Sequence, residues 1–153
     1  MKVVVSACLL GENCKYSGGN NYQKELADLL AGHQVIPVCP EVTGGLPTPR
    51  PPSEIVDGRV INRAGVSVDA EFRRGAEISL AEAERQHADL AILKANSPSC
   101  GPRQIYDGTF SGKLVEGSGI FAGMMMESGY PVLDETQIEE IRAALRRERD
   151  PQK

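Results

Sequence analysis

The chain has 153 residues, 41% of them hydrophobic and 25% charged, with a formal net charge of −4 and a sequence pI near 5.3. This length suits one domain with its own core, so we expect residues 1–153 to form a single domain. The acidic balance argues against a broad phosphate-binding surface for DNA or RNA. No apolar run approaches the ~20 residues of a membrane span, and the run after Lys2 is too short for a signal sequence. We therefore expect a cytoplasmic protein without a membrane partner.

The first part of the chain predicts a strand, a helix and a second strand. Residues 2–7 are largely β-branched and do not alternate with polar residues, which is typical of a strand buried on both faces. Residues 21–33 repeat their leucines at helical spacing and predict an amphipathic helix. Residues 34–39 predict another buried strand, in which Pro37 indicates an edge position or an early end of the strand.

An irregular segment and a hairpin follow. Residues 40–55 hold five of the ten prolines and predict a stiff loop of a length that is common at functional sites. Residues 54–62 predict a β-hairpin that turns at Asp57 and Gly58, because an Asp-Gly pair favours the positive φ angles of such turns.

The longest predicted helix covers residues 69–88. Asp69 is a candidate N-cap, since its carboxylate can accept a free backbone N–H of the first turn. The residues expected on the inner face of this helix are Phe72, Ala76, Ile78 and Leu80.

The remaining elements predict an α/β fold. They are a buried strand over 89–95, a hairpin over 104–117, a helix over 119–128, a strand over 130–135 and a helix over 134–150. Strands that are apolar throughout and alternate with helices indicate a mostly parallel sheet. The two short hairpins are expected as insertions at its rim.

Three cysteines lie just past predicted strands, namely Cys8, Cys39 and Cys100. Ligands of an open parallel sheet bind at the carboxyl ends of its strands, so these thiols meet if their strands are neighbours. Three thiolates suit a soft metal centre. Cys14 lies in a loop near the same edge and is a fourth ligand, a spare thiol or inert.

Several roles are compatible with this cysteine pattern. A structural zinc site requires a fourth protein ligand. A 4Fe–4S cluster usually takes four cysteines, and with three of them one iron remains open to substrate. Each cysteine taken alone can also be a small buried hydrophobe. No Cys-x-x-Cys pair is present, so neither a zinc ribbon nor a thioredoxin-like motif is indicated.

Five polar residues close to these cysteines are candidate site residues. Glu41 can act as general acid or base in a desolvated pocket, or it is a solvated loop carboxylate. Ser97 and Ser99 can bind a substrate atom or relay a proton, or they stabilise a turn. Arg50, held between prolines, and Lys15 can pair with a phosphate, or they are surface cations.

Three motifs together resemble the thiouracil desulfidase (TudS) family. They are SACLLGENCKYSGGNN, VIPVCPEVTGGLPTPRPPSEI and KANSPSCG, in that order. The similarity extends from Lys2 to about Tyr130. The resemblance implies a single Rossmann-like α/β domain that binds a 4Fe–4S cluster. It also implies that Cys8, Cys39 and Cys100 are the cluster ligands, with one iron left open.

The same resemblance implies a non-redox desulfidase. Its catalytic carboxylate and serine match Glu41 and Ser97, and the sulfur of a thiolated pyrimidine is exchanged for oxygen from water and leaves as hydrosulfide. The expected substrate is 2-thiouracil, 4-thiouridine monophosphate or a related small molecule, bound with help from Ser99, Arg50 and Lys15. DNA is not an expected partner. The family members that resemble tRNA-acting enzymes are longer and carry an additional domain, so tRNA is disfavoured as a partner of this chain.

Two alternatives stay open. One is an iron–sulfur or zinc-binding module that is a sensor or a structural unit without turnover. The other is a thiol enzyme without a cluster, in which Cys100 is the nucleophile.

Overall fold

The computed structural model describes residues 1–149 and contains eight strands within them. In chain order the strands are β1 Lys2–Ser6, β2 Gln34–Val38, β3 Ser53–Val56, β4 Arg59–Asn62, β5 Leu90–Leu93, β6 Gln104–Tyr106, β7 Leu114–Glu116 and β8 Val132–Asp134. Four of them form an all-parallel sheet in the order β2-β1-β5-β8. Strands β3-β4 and β6-β7 form two separate antiparallel hairpins. The predicted α/β class is therefore confirmed, and Pro37 lies on an edge strand as expected.

Five α-helices are described in the same range. They are α1 Lys24–Leu30, α2 Pro40–Thr43, α3 Asp69–Arg85, α4 Ile120–Glu127 and α5 Ile138–Arg149. The prediction for the last helix ran to Asp150, which lies outside the described residues. Helix α2 was not predicted, because its segment was interpreted as loop. Pro40 is its first residue, where the fixed φ of proline favours a helical start.

Helices cover both faces of the parallel sheet. Val4 of β1 packs in a core with residues of α3 and α4, whereas Val3 and Val5 pack in a second core with residues of α1 and α5. All three valines are fully buried, because successive side chains of a strand point to opposite faces and both faces are covered here. Among residues 1–149, no helix combines the length and the apolar character that a membrane span requires.

The inner face of α3 differs in part from the prediction. Phe72 and Ala76 are buried and Leu80 is partly buried, but Ile78 is 47% exposed, so its assignment to the inner face was wrong. The helical repeat explains the error, since it places Ile78 to one side of the stripe of buried residues. The other buried positions of this helix are Gly75, Ser79 and Ala83.

Asp69 is the first residue of α3 and not its N-cap, which is Val68. Its Oδ1 accepts the backbone N–H of Val60 at 3.1 Å, and its Oδ2 accepts from Arg73 Nε at 2.8 Å. The carboxylate therefore joins the β3-β4 hairpin to α3. Since the backbone N–H of β4 lies within reach, the side chain turns towards the hairpin instead of the helix end.

Two glycines allow α2 to lie directly on α3. A Cβ at Gly75 would collide with the carbonyl oxygen of Pro40, and a Cβ at Gly44 would collide with that of Glu71. The backbones of the two helices are thus in contact, with no side chain between them. This contact holds α2, the helix that carries Glu41, at the edge of the sheet.

Candidate active site

A cavity of about 440 Å³ lies at the carboxyl ends of β1, β2 and β5. These three strands are neighbours in the sheet, so the segments that follow them meet at one edge. The cavity is lined by all four cysteines of the chain, Cys8, Cys14, Cys39 and Cys100, each of them a free thiol.

Cys8 lies in a 3-10 turn, Ala7–Leu10, that directly follows β1. Its side chain is buried, and Asn21 Nδ2 donates a hydrogen bond to its Sγ at 3.5 Å. Burial raises the pKa of the Cys8 thiol, and the bond from Asn21 offsets part of that effect.

Cys39 and Cys14 are adjacent on another wall of the cavity. Cys39 is the N-cap of α2, and its Sγ contacts the backbone oxygen of Cys14 at 3.7 Å. Burial and the neighbouring Cys39 thiol raise the pKa of Cys14 to about 12. Cys14 therefore lies at the edge where the sequence predicted it.

Cys100 is the most deeply buried of the four thiols, with 4% of its surface exposed. Burial raises its pKa to about 12, although the neighbouring Ser6 and Ser99 hydroxyls act in the opposite direction. The Ser99 Oγ lies 3.6 Å from its Sγ. The thiol is therefore protonated at neutral pH unless a metal displaces the proton.

The donor set fits a multi-iron group better than a single ion. Within residues 1–149, no group of three or more His, Cys, Asp or Glu side chains is arranged to hold one metal ion. In a 4Fe–4S cluster each thiolate binds a different iron, so its ligands do not converge on one point. Soft sulfur donors on several walls of one cavity match that requirement.

Helix α4 fixes the loop that carries Ser99 and Cys100. Its first three residues donate their backbone N–H groups to the carbonyl oxygens of Pro98 and Ser99, at 2.9–3.1 Å. These N–H groups have no partner inside their own helix, so the loop supplies the missing acceptors. A Cβ at Gly119 would lie 2.5 Å from the backbone carbon of Ser99, so only glycine permits this approach.

Two serines and a glutamate form a hydrogen-bonded chain beside Cys100. The Ser97 Oγ accepts the backbone N–H groups of Ser99 and Cys100, at 3.1 and 3.0 Å. The Ser97 and Ser99 hydroxyls are 3.0 Å apart, and Ser99 donates to Glu41 Oε2 at 2.8 Å. Because the Ser99 proton points to Glu41, the Ser97 hydroxyl is the donor to Ser99. The chain therefore runs from Ser97 through Ser99 to the carboxylate.

Three positively charged residues line the cavity apart from Arg50. The Lys94 ammonium pairs with Glu135 at 3.0 Å. Lys15 is half-buried and Arg63 is exposed, and neither side chain makes an ion pair within the part of the chain that the structure describes. Lys15 and Arg63 are thus available to an anionic group of a ligand.

Three aromatic side chains also line the cavity, and we call them its outer wall, namely Tyr16, Tyr106 and Phe110. Phe110 has a left-handed backbone, with φ of 56°, which is uncommon for a bulky residue. The buried carboxylate of Glu54 holds this segment, since its Oε1 accepts the N–H groups of Gly108 and Phe110 at 2.9 and 3.1 Å. The β6-β7 hairpin is thereby fixed to β3.

A family model described as 2-thiouracil desulfurase matches residues 3–137. The chain belongs to this family. It is 37% identical over 149 residues to the uncharacterized protein YbbK of Bacillus subtilis (strain 168), with 91% of the chain and 99% of YbbK covered. It is also similar to the solved structure of the [4Fe-4S]-dependent thiouracil desulfidase TudS, at 41% identity and a TM-score of 0.88. That match covers 95% of this chain and 97% of TudS, so the predicted resemblance is confirmed.

All the site residues predicted for this desulfurase family member line the one cavity, namely Cys8, Lys15, Cys39, Glu41, Arg50, Ser97, Ser99 and Cys100. Arg63 and the aromatic residues of the outer wall were not predicted from the sequence. Arg63, Tyr106 and Phe110 lie in or beside the two predicted hairpins, and a hairpin at the rim of a sheet can reach over its carboxyl edge, whereas Tyr16 lies in the loop of Cys14.

Proposed function

We propose that this protein is a 4Fe–4S-dependent desulfidase, which replaces the thiocarbonyl sulfur of a thiolated pyrimidine by oxygen from water and releases hydrosulfide. The family match and the 41% identity to TudS support this activity. The observation that carries the proposal is the position of Ser99, which donates to Glu41 at 2.8 Å and contacts Cys100 at 3.6 Å. A proton-transfer group thus lies one hydroxyl away from a thiol suited to bind iron.

Cys8, Cys39 and Cys100 are the proposed ligands of the cluster. Each follows a different strand, and the strands are adjacent in the sheet. When bound through three thiolates, the cluster would supply an open iron that acts as a Lewis acid towards a soft sulfur. Cys14 is the proposed non-ligand, because its loop lies beside Cys39 and adds a second thiol to the same wall.

Glu41 is the proposed general base, and it acts with the two serines. Its Oε1 accepts from Arg50 and its Oε2 accepts from Ser99, so the carboxylate is held by donors on both oxygens. Its side chain is 15% exposed and lines the cavity, where it can take a proton from an attacking water. Once Glu41 is protonated, the Ser99 and Ser97 hydroxyls can rotate so that each donates in the opposite direction, and the proton is then returned along them towards the pyrimidine ring.

The outer wall supports a planar substrate with an anionic substituent. Tyr16, Tyr106 and Phe110 offer aromatic surface against which a pyrimidine ring can stack. Lys15 and Arg63 offer positive charge in the same cavity. These features allow the site to bind a pyrimidine nucleotide, such as 4-thiouridine monophosphate, in addition to the free nucleobase.

The alternative roles receive less support from this geometry. A cluster-free thiol enzyme needs a thiolate nucleophile, but burial raises the pKa of Cys100 to about 12. A zinc site needs ligands that converge on one ion, and none are so arranged among residues 1–149. A sensor without turnover does not require the Ser97, Ser99 and Glu41 chain.

The test is an assay of anaerobically reconstituted protein with 2-thiouracil and with 4-thiouridine monophosphate, following thiocarbonyl absorbance and sulfide release. Glu41→Gln should keep its iron and lose about 10²-fold or more in kcat, because it removes the base. Glu82→Gln, on the exposed face of α3, is the matched control and should behave as the wild type. Iron-loaded protein without turnover on either compound would contradict the proposal.

A further inference from the structure

The Arg50 side chain is almost fully enclosed beside Glu41. It is 5% exposed and makes four hydrogen bonds to other groups of the chain. Its Nε donates to Glu41 Oε1 at 3.0 Å and its Nη2 to the carbonyl oxygen of Cys14 at 2.8 Å. Its Nη1 donates to the carbonyl oxygen of Pro47 at 3.2 Å and to Thr48 Oγ1 at 3.1 Å.

These contacts occupy most of the hydrogen-bonding capacity of the guanidinium group. The group has five N–H donors, and four of them have acceptors within the protein. A substrate phosphate would have to displace these acceptors, including the partly buried carboxylate of Glu41. Lys15 and Arg63 line the same cavity, make no such side-chain contacts among residues 1–149 and are better placed to meet an anion.

Arg50 joins three separate parts of the site. Its backbone N–H donates to the carbonyl oxygen of Tyr16 at 2.8 Å, so its main chain and side chain both bind the loop that contains Cys14. Its side chain also binds Glu41 on α2 and its own proline-rich segment. Removal of one partner from a buried ion pair leaves the other charge uncompensated, so the orientation of Glu41 depends on Arg50.

We propose that Arg50 is a positioning residue that acts through Glu41 and does not bind substrate. It holds Oε1 of Glu41, so that Oε2 remains directed at Ser99, and it holds the Cys14 carbonyl that contacts the Cys39 thiol. The effect on turnover rests on the proposed desulfidase function. The effect on geometry does not.

The kinetic test compares Arg50→Met and Arg50→Lys with wild type in iron-loaded protein. We expect kcat to fall about 100-fold for Arg50→Met and about 10-fold for Arg50→Lys, with KM within about twofold, because only the base is misplaced. The lysine keeps the charge but not the planar fork, so it rescues in part. Arg85→Met, on an exposed ion pair of α3, is the matched control and should leave both constants unchanged.

A double variant separates positioning from a general structural effect. If Arg50 acts through Glu41, then Arg50→Lys should cause little further loss of kcat in the Glu41→Gln background. Additive losses would overturn the proposal. So would a raised KM for 4-thiouridine monophosphate with kcat retained, since that pattern identifies a substrate ligand.

A crystal structure of Arg50→Met tests the proposal without reference to turnover. We expect the bond between Ser99 Oγ and Glu41 Oε2, 2.8 Å in the native chain, to be broken. An unchanged bond would overturn the positioning role. Loss of this bond, together with an inactive wild type, would retain the role of Arg50 and reject only the desulfidase function.

Discussion

The Ser99 hydroxyl donates a 2.8 Å hydrogen bond to the Glu41 carboxylate, although 58 positions separate the two residues in the sequence. Ser99 comes from the loop after β5, and Glu41 comes from the first turn of α2. Two backbone contacts bring Ser99 and Glu41 together. Helix α4 holds the serine loop through its N–H groups, and the Gly44 and Gly75 approach holds α2.

Ser99→Ala tests whether this hydrogen bond contributes to turnover. We expect kcat to fall about 10²-fold with iron content unchanged, because the path from Ser97 to Glu41 is interrupted. Ser97→Ala should in addition lower the free energy of unfolding by about 1–3 kcal/mol, since two backbone N–H groups lose their acceptor. Wild-type kcat in Ser99→Ala would show that the hydrogen bonds between Ser97, Ser99 and Glu41 have no catalytic role.

The sequence predicted the location of the site but not the hydrogen bonds within it. Three strand-like runs, each followed by a cysteine, predicted one edge of a parallel sheet, because strand ends in such a sheet meet at the ligand-binding crevice. Neither the pairing of Arg50 with Glu41 nor the intermediate position of Ser99 has a local sequence signal. Both depend on how segments from three parts of the chain fold over that edge.

Single cysteine substitutions distinguish ligands from the remaining thiol. Cys8→Ser, Cys39→Ser and Cys100→Ser should each lower the iron content after reconstitution or leave the iron labile, because each removes one of three ligands. Cys14→Ser should retain a full complement of iron. Iron analysis together with visible absorption measures both outcomes. Loss of iron from Cys14→Ser would make Cys14 a ligand, and full loading of any other variant would exclude that residue.

Gly75→Ala tests the contact that positions α2. An added methyl group would collide with the carbonyl oxygen of Pro40, which is backbone and cannot rotate away. We expect a loss of about 1–3 kcal/mol in unfolding free energy, despite the better helix propensity of alanine, and reduced kcat. In Gly123→Ala, the control, the nearest atom to the new methyl group is the mobile Ser118 hydroxyl at 3.2 Å. A Gly75→Ala protein as stable and active as the control would contradict this packing.

Asp69→Asn tests the link between the β3-β4 hairpin and α3 through its pH dependence. The bond from Arg73 holds the pKa of Asp69 below its usual value of 3.8. The charged form therefore stabilises the native state above that pH, and the contribution is lost as pH falls through the folded pKa. We expect the variant to be less stable by up to about 1 kcal/mol at neutral pH, because the pair is partly exposed. Denaturant titrations at several pH values should show this difference vanishing in acid, and a constant difference would contradict it.

The outer wall of the cavity could not be predicted from the sequence. Tyr106 and Phe110 belong to a hairpin predicted only as a rim insertion, and the buried Glu54 that fixes it looked like an ordinary charged residue. Its two backbone partners are 54 and 56 positions away, so no short pattern relates them. Ile78 is an error of the opposite kind. This apolar residue of a long helix was predicted to face the core, and it lies exposed.

The most direct measurement of the central claim follows oxygen and sulfur together in one turnover experiment. Iron-loaded protein is incubated anaerobically with 2-thiouracil in water enriched in oxygen-18, and uracil and sulfide are quantified. The proposed activity predicts one labelled oxygen in each uracil formed and one sulfide released with it. It also predicts neither product from the iron-free chain. Unlabelled uracil, sulfide without uracil, or equal turnover by the iron-free chain would contradict a metal-dependent exchange of sulfur for water oxygen.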